Sequence, residues 1–219
     1  MSNPKRSLDP KLVQLFQESS DWRLLSLLFD CPRRHWQREI TKLSAQTSDM
    51  DLKASATAAL QEASEGFYHS IFGPGGPVPA REISYIAMVQ PGYLLSELAC
   101  YYAAFGYQPA SREAPDHIAI EVGFLSYLRL KEAFALAAHD PESAQITAET
   151  AEHFLTDHLS VFAGQFSQSL ITSEVPYLAK AAQSFLRRVG PPKSLPMYPG
   201  PPSQTFDQDT ECGFDCEAL

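Results

Sequence analysis

DHIAIEVGFLSYLRLKEAFALAA, residues 116–138, decides the fold class of this chain. Its first half alternates, with apolar Ile118, Ile120, Val122 and Phe124 separated by Ala119, Glu121 and Gly123, the pattern of a half-buried strand. Length argues against that reading. No proline interrupts 116–140, a run far longer than a strand of about 4–8 residues, and Leu125, Leu128, Ala133, Phe134 and Ala137 continue at helical offsets. The stretch is therefore expected to be a buried central helix.

The flanking segments also read as helices. Asp9-Pro10 joins a capping side chain to a proline suited to a first turn, and Leu12, Leu15, Phe16, Trp22, Leu24, Leu25, Leu27, Leu28 and Phe29 recur at helical spacing. This predicts two short helices or one kinked helix over 9–30, closed by Pro32. Residues 33–46 and 51–71 are expected to form further helices, the second with Leu60, Phe67, Tyr68 and Ile71 on its apolar side. FGPGGPVP at 72–79 holds three glycines and three prolines and must be a rigid loop. Residues 91–105 read as a helix, with Gly106 where a left-handed cap is wanted. Asp140-Pro141 repeats the cap signal and opens a run to about 172 through Phe154, Leu155, Leu159, Phe162 and Phe166, and a last helix covers 174–188. The expected fold is all-α: one helical bundle of about seven to nine helices within residues 1–189. Six of the thirteen residues after Val189 are proline and the remainder is acidic, so 190–219 is expected to be a flexible, disordered tail that builds no packed core.

Composition bounds the function. A chain of 219 residues with 44% hydrophobic and 11% aromatic content can bury the core of one domain and is not wholly disordered. The net charge of −9 argues against nucleic-acid binding, which needs clustered positive charge. Asp207, Asp209, Glu211, Asp215 and Glu217 supply five of those charges, leaving residues 1–202 at −4. Four cysteines are too few for a disulfide scaffold, and Cys31 and Cys100 lie in apolar stretches where a reduced thiol behaves as a small hydrophobe. MSNPKRSLDPKLVQLF has no apolar core of a cleavable leader, and no apolar run approaches the roughly 18 residues of a membrane span, so a cytoplasmic location is expected. There is no internal repeat and no glycine-rich nucleotide loop.

Three groups of side chains stand out. Glu113, Pro115, Asp116, His117 and Glu121 form the densest ionisable cluster; Asp116 is placed to cap the following helix, and His117 and Glu121 share a face at four-residue spacing. That cluster reads either as a well-capped helix start or as a ligand-binding lip or acid/base group. Glu149, Glu152, His153, Asp157 and His158 read either as a solvated face or as metal ligands, although the Glu-x-x-His triplet of di-iron bundles is absent. Cys212 and Cys216 offer two thiolates where a structural zinc site needs four ligands. No nucleophile elbow or Ser/His/Asp signature is present, so no catalytic residue is assigned.

The stretch Glu113-x-Pro115-Asp116-His117-Ile118-Ala119-x-Glu121-x-x-Phe124-Leu125-x-x-Leu128 resembles the signature of the TorD/DmsD/NarJ-like chaperones that mature molybdopterin oxidoreductases. Further pieces agree in order: the 72–79 loop followed by Glu82, Ser84 and Tyr85, then Tyr102-x-x-Phe105-Gly106, then Phe154-x-x-x-His158-Leu159. Together they span about 20–190, with AREISY at 80–85 where the family more usually has an aromatic-Glu-Ser-Val-Tyr arrangement. The resemblance implies a TorD-type helical chaperone, not an enzyme. Such a chaperone binds the twin-arginine signal peptide or leader of a catalytic subunit until cofactor insertion is complete. It points to Glu113, Pro115, Asp116, His117, Glu121, Glu82, Ser84 and Tyr85 as client-binding residues. No resident cofactor is expected, beyond transient binding of a nucleotide or molybdopterin. The client oxidoreductase, and whether the chain is a monomer or a homodimer, stay open. Two other readings are a metal-dependent helical-bundle enzyme using His117, Glu121 and the 149–158 face, and an accessory subunit retained in the mature oxidoreductase.

Overall fold

A computed structural model describes residues 9–191 other than Arg34 and Met88. The proline-rich and acidic segment with Cys212 and Cys216 lies outside the described residues. The first helix, α1 (Pro10–Leu28), is capped by Asp9, whose carboxylate accepts the Lys11 backbone N–H at 2.9 Å. It is one unbroken helix rather than two. After α2 (Trp36–Ser44), the segment expected as one helix over 51–71 divides into α3 (Met50–Glu62) and α4 (Glu65–Phe72). Ser64 causes the division: Ala63 turns extended, and the Ser64 hydroxyl accepts from the Phe67 N–H to cap a new helix.

A 3-10 turn (Glu82–Ser84) follows the glycine-proline loop and leads to α5 (Pro91–Phe105), which ends at Gly106 with φ of 66°, inside the left-handed region. The deciding stretch forms α6 (Ile118–Ala137) as expected. The run from 141 is α7 (Pro141–Phe154), a five-residue π turn (Leu155–Leu159) and α8 (Ser160–Thr172), and the chain closes with α9 (Pro176–Val189). A π turn inserts one residue into the helical register. Here it turns both His158 and Leu159 inward, at 1% and 0% exposure.

The bundle is organised around α1 lying along α6. Small residues let the two backbones approach: Ser19 Oγ donates to Ser126 O at 3.0 Å, Ser126 Oγ donates to Ser19 O at 2.8 Å, and Ser26 Oγ donates to Ala119 O at 2.8 Å. A Cβ at Gly123 would stand 2.6 Å from Tyr107 Oη and 3.1 Å from Ser26 Oγ. Gly123→Ala should therefore cost about 1–3 kcal/mol in thermal unfolding, as overpacking does, with most of it recovered in a Tyr107→Phe background. An unchanged melting temperature would contradict the close approach.

Two aromatic clusters fill the core. Phe29, which caps the C-terminus of α1, meets Phe166 at 5.3 Å and Phe185 at 5.8 Å and so ties that end to α8 and α9. Phe124 meets Phe154 at 4.8 Å and Tyr102 at 5.0 Å, joining α6, α7 and α5. Asp49 caps α3 and also accepts from Arg188 at 2.6 Å and Ser184 at 2.7 Å; burial opposes its charge, yet these bonds hold its carboxyl well below the usual range.

Helix α5 buries only Leu94, Leu98 and Tyr102 and leaves Tyr93, Ala99, Cys100, Ala103 and Ala104 exposed. Cys31 is buried as expected for a small hydrophobe, but Cys100 is not, because it falls on this outer face.

Candidate functional site

The glycine-proline loop delivers residues 80–82 alongside 116–118. Glu82 N–H donates to Asp116 O and Ile118 N–H donates to Ala80 O, both at 2.9 Å, with Arg81 and His117 forming an antiparallel bridge between them. Two separated motifs thus meet at the N-terminus of α6. Asp116 does not cap that helix, as its sequence position suggested. Its Oδ1 accepts from Arg81 Nε at 2.8 Å, and His117 takes over the cap, with Nδ1 accepting the Ala119 N–H at 3.2 Å.

That cap fixes the His117 tautomer, because a backbone N–H can only donate. The ring proton sits on Nε2, 3.0 Å from the Tyr68 hydroxyl. Burial first, and the Arg81 charge second, bring the His117 pKa down to about 4, so the ring is neutral at pH 7. Burial also raises the Tyr68 and Tyr102 hydroxyls far above the ordinary tyrosine range. Tyr102 Oη donates to Pro115 O at 2.8 Å and so ties α5 to the loop before α6.

Behind this edge lies a group of buried acids. Glu82 is 1% exposed and Asp116 and Glu121 are fully buried. His158, from the π turn, donates Nδ1–H to Glu82 Oε2 at 3.1 Å and Oε1 at 3.3 Å, with its ring against Phe154 and Tyr101. Both Glu121 oxygens, Asp116 Oδ2 and His158 Nε2 are buried without a hydrogen-bond partner among the described residues. Burial, then the neighbouring Glu82 and Asp116 carboxyls, push the Glu121 pKa well above the usual carboxylate value.

The remaining expected residues are less buried. Glu113 is half-buried, with its carboxylate 4.0 Å from Arg33, while Ser84 and Pro115 are exposed. Tyr85 stacks on Phe162 at 5.5 Å and donates to Pro79 O at 2.7 Å, and burial pushes its hydroxyl up to about 12.

Of the 149–158 face, the structure brings His158 into the buried acid group through Glu82. Both His117 ring nitrogens are engaged, and Glu149, Glu152 and His153 lie exposed on α7. Three partners escaped sequence reasoning: Tyr68 for His117, Arg81 for Asp116, and His158 for Glu82. Only the ordered recurrence of Glu82 and His158 in the family-like pieces hinted at the last.

Residues 34–168 match the family described as the nitrate reductase delta subunit. The chain is also 35% identical over 86 residues to a protein of Ideonella dechloratans described as a chlorate reductase assembly chaperone protein. That match covers 38% of this chain and 44% of the relative, so it spans less than half of either. No helix among the described residues is long and apolar enough to cross a membrane.

Proposed function

Because the chain belongs to the nitrate reductase delta subunit family, we propose that it is an assembly chaperone for the catalytic subunit of a molybdopterin oxidoreductase, and not itself an enzyme. In this reading residues 1–189 are the chaperone domain and 190–219 a tail. The domain binds the twin-arginine leader of the subunit in the cytoplasm and holds it until cofactor insertion and folding are complete.

The observation that carries the reading is the clasp of Arg81 on Asp116. Asp116 is fully buried, Arg81 occupies one of its oxygens, and Oδ2 has no partner among the described residues. The Arg81 side chain is 42% exposed, so an incoming arginine can share or displace it. A planar guanidinium matches a carboxylate bidentately, as lysine cannot. Glu113, Ser84 and Pro115 meet the peptide first, while the Glu82 backbone N–H, bonded to Asp116 O, helps hold Asp116 in place, with Glu121 and His117 buried beside it. The half-buried Ile83, Tyr85, Ile86 and Val89, beside exposed Tyr93, offer apolar surface to the leader's apolar stretch.

Magnitudes divide the work between these parts. Burying a Leu-sized side chain contributes about 1.5–3 kcal/mol, whereas an exposed ion pair contributes about 0–1 kcal/mol. Apolar contact therefore sets affinity, and the carboxylates orient the peptide and select arginine. The ordering cost of a flexible peptide leaves a micromolar to sub-micromolar complex.

Fluorescence anisotropy with a labelled twin-arginine leader peptide tests the clasp. Arg81→Ala should tighten binding severalfold by removing a competitor. Asp116→Ala should weaken it by more than about 10-fold, as losing a buried charged partner does, and Glu113→Gln by less than about fivefold. Circular dichroism verifies that each variant folds. Unchanged affinity in both Arg81→Ala and Asp116→Ala would remove the site assignment.

A further inference from the structure

Cys31, Glu65 and His69 bring a thiol sulfur, a carboxylate oxygen and an imidazole nitrogen within 4.8 Å of one another. They come from two separate parts of the chain. Cys31 lies just beyond α1, its backbone N–H bonded to Asp30 Oδ1 at 2.8 Å; Glu65 opens α4, and His69 stands one turn later on the same face. Cys31 is buried, whereas Glu65 and His69 reach solvent, so the cluster has a fixed sulfur and an open side. We infer that Cys31, Glu65 and His69 form a binding site for a divalent transition-metal ion of the zinc type, with a fourth position left to water.

The donor set decides the class of ion. Magnesium and calcium take oxygen donors, whereas a thiolate with an imidazole selects zinc and its neighbours. Three protein ligands leave one tetrahedral position open. Ligand distances of about 2.0–2.3 Å require donors roughly 3.3–3.5 Å apart. The exposed side chains of Glu65 and His69 can supply that closure of about an ångström by changing rotamer, with Cys31 held still.

Charge is balanced in the same way. A dication is neutralised by the Cys31 thiolate and the Glu65 carboxylate. The competing cation is Arg33, whose Nε lies 3.7 Å from Glu65 and whose terminal nitrogen lies 4.0 Å from Glu113. At 39% exposure it can turn wholly to Glu113 as the ion enters. The ligand is the Cys31 thiolate, so metal binding releases the thiol proton and weakens as pH falls. The site is distinct from the clasp on Asp116, with Tyr68 between the two: its ring is 5.3 Å from His69 and its hydroxyl 3.0 Å from His117 Nε2.

Cobalt titration of the chelator-treated, full-length chain tests the inference. One equivalent of Co2+ should give a thiolate-to-cobalt charge-transfer band that Zn2+ removes. Cys31→Ser should abolish the band, and His69→Ala or Glu65→Gln, both at exposed positions that leave folding intact, should weaken binding by more than about 10-fold. The double variant Cys212→Ser/Cys216→Ser should retain it. Absence of the band at stoichiometric cobalt would overturn the assignment, as would a band that survives Cys31→Ser and vanishes in the tail variant.

Discussion

Glu82→Ala should destabilise the chain by about 3–5 kcal/mol in denaturant unfolding, the cost of removing one partner from a buried ionisable pair. Glu82 and His158 are each 1% exposed, and both carboxyl oxygens receive His158 Nδ1–H. Truncation strips that donor of its acceptors inside a ring that already has Nε2 unpartnered. Glu82→Gln keeps an amide oxygen in reach and should cost less. His158→Ala should cost a similar amount to Glu82→Ala, and the double variant should cost clearly less than the two single effects combined, because they break one contact. Glu121→Gln should cost less than Glu82→Ala, because burial already disfavours the charged form of Glu121 and the neutral amide carries no charge to bury. A loss below about 1 kcal/mol for Glu82→Ala would mean that the pair does not hold the 3-10 turn against the π turn.

The second large effect is a pH dependence. His117 titrates near 6.5 when unfolded and near 4 when folded, so between these values the unfolded chain binds the extra proton. Stability is therefore full above about pH 6.5 and falls by about 3 kcal/mol as pH drops to 4. Glu121 has the opposite sign: its raised pKa favours the folded chain at low pH, and that contribution fades as pH rises. The His117 effect is isolated by comparison with His117→Asn, which keeps an oxygen to accept the Ala119 N–H but does not titrate. The stability difference between wild type and His117→Asn should shift in favour of the variant by about 3 kcal/mol from pH 6.5 to 4. Loss of the Tyr68 bond adds only a constant offset, because Tyr68 does not titrate in that window. A difference that stays flat would mean that the His117 ring is not held neutral by burial.

The sequence carried the helical class because length overrides a short alternating pattern at 118–124. It also carried the loop at 72–79 and the cap at Gly106, where proline and glycine act locally. The break at Ala63–Ser64 escaped because a single capping serine in an alanine-rich run is weak against helix propensity on both sides. The cap of α6 was placed on Asp116 because local spacing permits it, and only the remote Arg81, 35 residues away, draws that carboxylate off to leave the task to His117. His158 faces inward through the register shift of a π turn, which periodicity near 3.6 cannot anticipate. Cys100 reads as core by composition but lies on the outer face of α5, and helix exposure depends on what packs beside it. Of the residues the resemblance singled out, Glu82, Asp116, His117 and Glu121 come together at the start of α6. That these four are buried while Glu113, Ser84 and Pro115 are less so required the third dimension.

The most direct measurement is capture of a client by the full-length, tagged chain from cells grown anaerobically, with the co-purifying proteins identified by mass spectrometry. The expected catch is a molybdopterin oxidoreductase catalytic subunit that still bears its N-terminal leader, lost when the leader is deleted. Capture of that subunit equally well without its leader, or its absence under conditions in which it is expressed, would mean that the chain is not a leader-binding chaperone.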